Sequence, residues 1–271
     1  KVVVIDSYLD GVRHLEIRLC PPLHTRGGLD PRAVLRAVRT GCEEGVDRVG
    51  GISPGDGISY RLVPAILEGM GDEEAGRIVD LALEAREAGV SGLDIAGDES
   101  LFDARRYRAA VERARGGGLG ITVHAGETGC PAHVRDALTV LGADRIGHGV
   151  AAADDPATVE LLLDRNATVE VCLSSNVHTG ATGSIEDHPL PRLLAAGVRV
   201  TLATDNRFLS DTTLSAEYDA ASARLGVTIG EAARMAVAGA CSAFLPEDER
   251  RALAERIADS CGRETEGTRS P

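Results

Sequence analysis

The chain has no tryptophan, and aromatic residues make up only 3% of its 271 positions. A surface that binds single-stranded nucleic acid by stacking bases needs more than that. Positive charge is scarce as well: 29 Lys and Arg stand against 42 Asp and Glu, a formal net charge of −13. That balance argues against nucleic acid and anionic membranes as partners and suits a soluble, cytoplasmic protein. No apolar run approaches the ~18 residues that span a bilayer, and no charged-then-apolar leader opens the sequence, so no membrane segment is expected. The six cysteines, Cys20, Cys42, Cys130, Cys172, Cys241 and Cys261, include no C-x-x-C pair. They read as core thiols of a reducing compartment rather than as disulfides or a thiolate metal site.

What the sequence does contain is a regular alternation of β-rich and helical patterns. Residues 14–20 (HLEIRLC) read as a strand and 31–46 as a helix with Leu35, Val38 and Cys42 on one face. The run 58–66 (ISYRLVPAI) reads as a strand weakened by Pro64. Asp72 is placed to cap a helix over 73–88 that Gly89 closes. A strand over 91–96 follows, then a helix near 102–115 with Ala104, Tyr107, Val111 and Ala114 at i, i+3, i+7 and i+10. The strand 120–124 leads to a helix carrying Val134, Ala137, Leu138 and Leu141. Strand 144–148, helix 156–164, strand 168–173, helix 190–196 and strand 198–204 continue the pattern, and several helices fill 212–260. The ending 262–271 is polar and reads as a flexible tail.

Strands alternating with helices imply a parallel sheet, either doubly wound or closed as a (β/α)8 barrel of TIM type. The placement of polar residues separates the two. Asp98-Glu99, His124 with Glu127, His148, Ser174-Ser175-Asn176 and Asp205-Asn206 each follow a different strand. A doubly wound sheet gathers its site at one switch point, whereas a barrel collects it from strand tips all around its mouth. The pattern fits the barrel, as one domain over 1–271.

Each tip residue alone has a plain alternative: a hydrogen-bonded structural His, a solvated Glu127, a turn or cap at Asp205-Asn206. Together, two imidazoles and a carboxylate at one barrel face suit Zn²⁺ or a similar borderline metal with one position kept for water. Glu127 lies just past His124, placed to exchange protons with a substrate beside that water. His148 serves either as a ligand or as a base; spacing leaves both open.

Five motifs stand in order: LDIAGDE (93–99), HAGE (124–127), RIGHG (145–149), SSNVHTGA (174–181) and TD (204–205), followed by SAFLPEDERRAL (242–253). On these the chain resembles the adenosine deaminase family of the amidohydrolase superfamily, over about residues 10 to 260. The resemblance implies a (β/α)8 barrel with extra C-terminal helices and one Zn²⁺ per chain. It implies hydrolytic replacement of the 6-amino group of adenosine, or a related purine nucleoside, by oxygen, with release of ammonia. His124 and Asp205 would then be metal ligands. Glu127 would protonate the ring nitrogen beside the attacked carbon. His148 would orient the attacking water and help stabilise the developing alkoxide, and Asp205 could also accept the water's proton. The Gly97 backbone would meet the purine at another ring nitrogen, where the missing side chain permits close approach.

Three departures from the family pattern stand out. Asn206 replaces a second acidic residue that meets the purine's imidazole edge, and Asn offers both a donor and an acceptor there. Cys172-Leu173 replaces Cys-Pro. No His-x-His occurs anywhere, although the family's first strand supplies two metal ligands through such a pair. With seven strands assigned from 14–20 onward, only Lys1-Val2-Val3-Val4 remains for the first strand. The eight residues between Val4 and Arg13 are too few for a crossover of about a dozen. Residues 1–12 are therefore expected to be an incomplete N-terminal segment, with KVVV a strand stub and a chain break where the two further His ligands belong. Adenine or aminodeoxyfutalosine deamination by the same chemistry, or a metal-poor non-catalytic barrel, are the alternatives.

Overall fold

The computed structural model describes residues 1–52 and 56–267, and the chain divides into two compact units. The first comprises Lys1–His124 and Thr139–Ala143; the second comprises Ala125–Leu138 and Asp144–Pro271.

In the first unit, helix α1 (Val2–Leu9) precedes β1 (His14–Leu19), α2 (Pro31–Ile52), β2 (Ser59–Leu67), α3 (Asp72–Glu84), β3 (Gly92–Ala96), α4 (Ala104–Gly116) and β4 (Gly120–Ala125). β1 pairs in parallel with β2, β2 with β3, and β3 with β4. Leu93, Ile95, Ile121 and Val123 are all fully buried, and so are Asp94 and Thr122 between them, as expected when a parallel sheet is covered on both faces. α4 buries the predicted stripe of Ala104, Tyr107, Val111 and Ala114. Pro64 does lie inside β2, and the ladder explains why it is tolerated. Leu62 bridges Val90 while Ala65 pairs Asp94, so one extra residue is accommodated opposite Pro64, and a bulge removes the need for its missing N–H. Asp72 is the first residue of α3 rather than its cap, which falls on Gly71.

The N-terminal expectation holds in part: the sheet has seven strands among the described residues, and none precedes β1. Val2-Val3-Val4, however, open a helix instead of forming a strand stub. β-Branched residues favour strands only weakly against tertiary packing. Here Val4, Ser7 and Tyr8 recur at helical spacing and are buried. Gly45 on α2 lets the two helices approach so closely that a Cβ there would lie 2.8 Å from the Val4 side chain. The Tyr8 hydroxyl donates to Asp56 at 3.1 Å, and the Arg13 guanidinium stacks over the Tyr8 ring.

In the second unit, α5 (Pro131–Thr139) precedes β5 (Arg145–His148), α6 (Pro156–Asp164), β6 (Thr168–Val171), α7 (Leu173–His178), α8 (Leu190–Ala195) and β7 (Arg199–Leu202). Three helices follow: α9 (Leu214–Leu225), α10 (Ile229–Ser242) and α11 (Glu247–Gly267). β5 pairs in parallel with β6 and β6 with β7. Leu173 begins α7 instead of ending β6. Its first turn is held by the buried Glu217 carboxylate, which accepts from the Ser174 N–H and the Thr212 hydroxyl, a negative charge where a helix start favours one. The buried Arg145 lies 3.2 Å from Glu170, donates to the Ser242 carbonyl and stacks on Phe244. Residues 268–271 of the expected tail lie outside the described residues. Within each unit every strand pairs with its neighbour in the chain, the order of a barrel and not of a doubly wound sheet. All six cysteines are free thiols, and no helix among the described residues is long and apolar enough to cross a membrane.

Candidate active site

In the first unit the predicted ligand His124 lies near the C-terminal end of β4. Its Nδ1 is 3.1 Å from Oδ1 of Asp94, a fully buried carboxylate inside the apolar strand β3, and Arg18 lies 3.5 Å from the other oxygen. A carboxylate partner holds the imidazole proton on Nδ1 and leaves Nε2 as the lone-pair nitrogen, the form in which a histidine binds a metal. Gly97, just past β3, has φ +114°, and a Cβ there would stand 3.2 Å from the Glu68 backbone nitrogen. Both facts reserve the position for glycine. Glu68 itself follows β2, with neither carboxylate oxygen hydrogen-bonded among the described residues. Burial first, and then the charge of Glu99, push its carboxyl up to about 8.

In the second unit, the turn after β4 answers why two tiny residues precede Glu127. Ala125 is fully buried and its carbonyl accepts from Gly149 N–H at 3.1 Å; the Gly126 carbonyl accepts from Ala151 N–H at 2.9 Å. Gly126 has φ +89°, and a Cβ would meet Val134 Cγ2 at 2.9 Å. This packing delivers Glu127, whose Oε1 accepts from the Thr179 hydroxyl at 2.7 Å and lies 3.7 Å from His148 Nδ1.

His148 ends β5 with φ +64°, and Asp205 follows β7 with φ +49°. Two of the four non-glycine residues with positive φ among the described residues are thus predicted site residues, and each such conformation costs on the order of 1 kcal/mol that surrounding contacts must offset. His148 is buried, with Nδ1 2.9 Å from Asn176 Nδ2, and Asn176 Oδ1 is 3.2 Å from His188 Nε2. The Ser175 hydroxyl donates to Asp205 Oδ2 at 2.7 Å. Asn206 is exposed, and its side chain accepts from Leu209 N–H at 3.2 Å, capping the turn that follows. The cap reading of that residue therefore has a concrete partner.

Among the described residues no group of three or more His, Cys, Asp and Glu side chains stands together as a metal site. His124 belongs to the first unit, His148 and Asp205 to the second. Sequence reasoning missed His188 and gave no partner to Asp94, Ser175 or Thr179, although these three stand in its motifs. Asp94 carried a signal, a lone carboxylate in an otherwise apolar strand, which survives burial only with partners. The others are short polar residues in turns or short helices, whose partners only the fold reveals.

The family model described as Adenosine deaminase matches residues 3–260. An adenosine deaminase of Mycobacterium sp. (strain JLS) is 38% identical over 267 residues, covering 94% of this chain and 72% of that protein. The solved adenine deaminase from Arthrobacter aurescens superposes with a TM-score of 0.84 at 26% identity, covering 95% of this chain and 76% of its own. An amidohydrolase from Burkhoderia ambifaria, solved with bound Zn, gives a TM-score of 0.81 at 24% identity, covering 95% and 72%. The fold is accordingly a partial (β/α)8 barrel with seven parallel strands among the described residues.

Proposed function

The chain belongs to the adenosine deaminase family, hydrolases that deaminate purines, and on that premise we propose that it hydrolyses the 6-amino group of adenosine or a closely related purine nucleoside with one Zn²⁺. His124 and Asp205 would hold the metal. The Asp94 bond to His124 Nδ1 fits this, because a carboxylate in that position orients a ligating imidazole and raises its basicity. The other ligands the family resemblance calls for, a His-x-His pair, have no counterpart in the sequence. When bound, Zn²⁺ supplies Lewis acidity and lowers the pKa of water towards about 7.

The remaining steps fall to the chain's own groups. Glu127 gives a proton to the ring nitrogen beside the carbon that carries the amino group, which makes that carbon electrophilic. Asp205, anchored through Ser175, accepts a proton from the attacking water. His148 faces the oxygen on which negative charge develops. The Gly97 backbone meets a further ring nitrogen, and Asn206 meets the imidazole edge. Water adds, the amino group leaves as ammonia, and the purine carries an oxygen in its place. Adenine deamination by the same residues is the second reading, favoured by the likeness to the Arthrobacter aurescens enzyme.

The observation that carries the proposal is Glu127, delivered by the glycine turn three residues after His124 and fixed through Thr179. Glu127→Gln should lower turnover about 10²- to 10⁴-fold, the usual contribution of a proton-transfer group, and leave metal content unchanged. A kcat near that of the parent would remove the assignment, and loss of metal with the carboxylate would make Glu127 a ligand instead.

A further inference from the structure

Three buried side chains of the second unit form a line of hydrogen bonds whose polarity can be read from one end. Its anchor is unambiguous: the Leu190 backbone N–H is a donor, and it bonds to His188 Nδ1 at 3.0 Å. His188 Nδ1 therefore carries a lone pair, and the neutral ring carries its proton on Nε2. Burial keeps this ring neutral, holding its pKa down at about 4. His188 Nε2–H then donates to Asn176 Oδ1 at 3.2 Å, which fixes the orientation of an amide that could otherwise be turned either way. With its oxygen engaged by His188, Asn176 presents its Nδ2 amino group to His148 Nδ1 at 2.9 Å. That group has only hydrogens to offer, so His148 Nδ1 accepts and the neutral His148 ring carries its proton on Nε2. Glu127 does not compete for Nδ1, because 3.7 Å is too long for a hydrogen bond.

We propose that His188 is a positioning residue which, through Asn176, locks His148 as the Nε2–H tautomer, so that His148 meets the reacting oxygen as a hydrogen-bond donor. In its neutral form His148 then has no lone pair on Nε2, and it acts neither as a metal ligand nor as a general base through that nitrogen. The two roles the sequence left open for it are both closed, and the proton of the attacking water falls to Asp205. A preorganised donor aimed at an oxygen that gains charge in the transition state is among the most effective devices a site has. It needs no titration at the moment of reaction. The surroundings favour such a donor. Asn176 is completely buried, His148 and His188 nearly so, and a bond chain in so dry a setting holds its polarity firmly. The positive φ of His148 is a second sign that the ring is held in place at some conformational cost. The catalytic consequence rests on the function proposed above; the tautomer does not.

The test is the ¹⁵N spectrum of histidine-labelled full-length protein near pH 7, in which one-proton tautomers are told apart by which ring nitrogen is pyridine-like. The parent should show a pyridine-like Nδ1 and a protonated Nε2 in both His148 and His188. Asn176→Asp replaces the donor with an acceptor of the same shape and should move the His148 proton to Nδ1, with kcat falling about 10²-fold or more, the loss typical of one oxyanion donor, and KM changing much less. His188→Gln keeps a side-chain N–H and should preserve the His148 tautomer and most of kcat. His188→Leu removes the anchor and should give mixed tautomers with reduced kcat. A parent spectrum with the His148 proton on Nδ1 overturns the proposal even if no variant folds, as does an Asn176→Asp protein whose His148 tautomer is unchanged. Tautomers that move as expected while deamination continues at the parent rate would leave the relay standing and refute the role given to His148 in the reaction.

Discussion

Replacing Gly126 with alanine probes the turn that delivers Glu127. A single methyl group is added, yet two separate costs follow. At φ +89° an L-residue with a Cβ is strained by about 1–2 kcal/mol. The new Cβ would also lie 2.9 Å from Val134 Cγ2, on a side chain that is itself fully buried, and 3.3 Å from the Ala151 nitrogen. Overpacking of this kind costs about 1–3 kcal/mol. The loss of unfolded-chain freedom on going from Gly to Ala returns about 0.4–1 kcal/mol. Gly126→Ala should therefore destabilise the protein by roughly 2–4 kcal/mol on these figures. Val134→Ala, which opens the space the new methyl needs, should cost about 2 kcal/mol alone. Combined, the pair should cost less than the sum, with a coupling of about 1–2 kcal/mol, since only the clash is relieved and the φ strain persists. Urea denaturation of the four proteins measures this, provided the slope m stays constant. Gly126→Ala should also lower kcat, because the Ala151 N–H to Gly126 carbonyl bond must shift and Glu127 shifts with it. A Gly126→Ala protein as stable as the parent, or a double mutant additive to within about 0.5 kcal/mol, would refute the packing argument.

Two further predictions concern stability. Arg145→Met leaves the buried Glu170 carboxylate without its cation and should cost about 3–5 kcal/mol, whereas Arg145→Met with Glu170→Leu should recover much of that; equal losses in the two proteins would contradict it. The pH profile has two opposed limbs. His188, whose pKa is held at about 4 against an ordinary 6.5, stays neutral while the unfolded chain takes up a proton, so stability should fall as pH drops from 6.5 to 4, by roughly 3 kcal/mol. Glu68, raised from 4.5 to about 8, keeps its proton while the unfolded chain gives it up, so stability should fall as pH rises from 4.5 to 8. Melting temperatures across this range should show the acid limb flattened in His188→Gln and the alkaline limb flattened in Glu68→Gln; unchanged slopes in either variant would refute the corresponding limb.

How much could be read beforehand depended on whether a residue's partner lay nearby in sequence. The α4 stripe, Ala104 to Ala114, and the apolar strands β3 and β4 declared themselves by periodicity, because each buries one face or both against a uniform interior. The barrel order followed from polar residues recurring after successive strands. Val2–Leu9 went the other way. Three consecutive valines have a strand-like local preference, and the decisive facts were tertiary: Gly45 admits Val4, and Asp56 receives the Tyr8 hydroxyl. The shortage of strands ahead of β1 was nonetheless legible, from the absent His-x-His pair and the seven strands assigned. At the site, Glu127, His124, His148 and Asp205 were visible because they sit in short motifs at strand ends. Asp94, Thr179 and His188 act on those residues from 30, 52 and 40 positions away (His188 on His148, through Asn176), distances over which no local pattern operates.

The central claim is that this chain deaminates a purine nucleoside with a bound metal, and ammonia release from adenosine measures it most directly. The full-length protein, loaded with Zn²⁺, should convert adenosine to inosine with one ammonia per nucleoside. It should turn over adenosine faster than adenine, lose the activity on treatment with a chelator, and recover it when Zn²⁺ is returned. A metal-loaded, folded protein that releases no ammonia from adenosine, adenine or aminodeoxyfutalosine would contradict the account, and so would a rate that chelation leaves untouched.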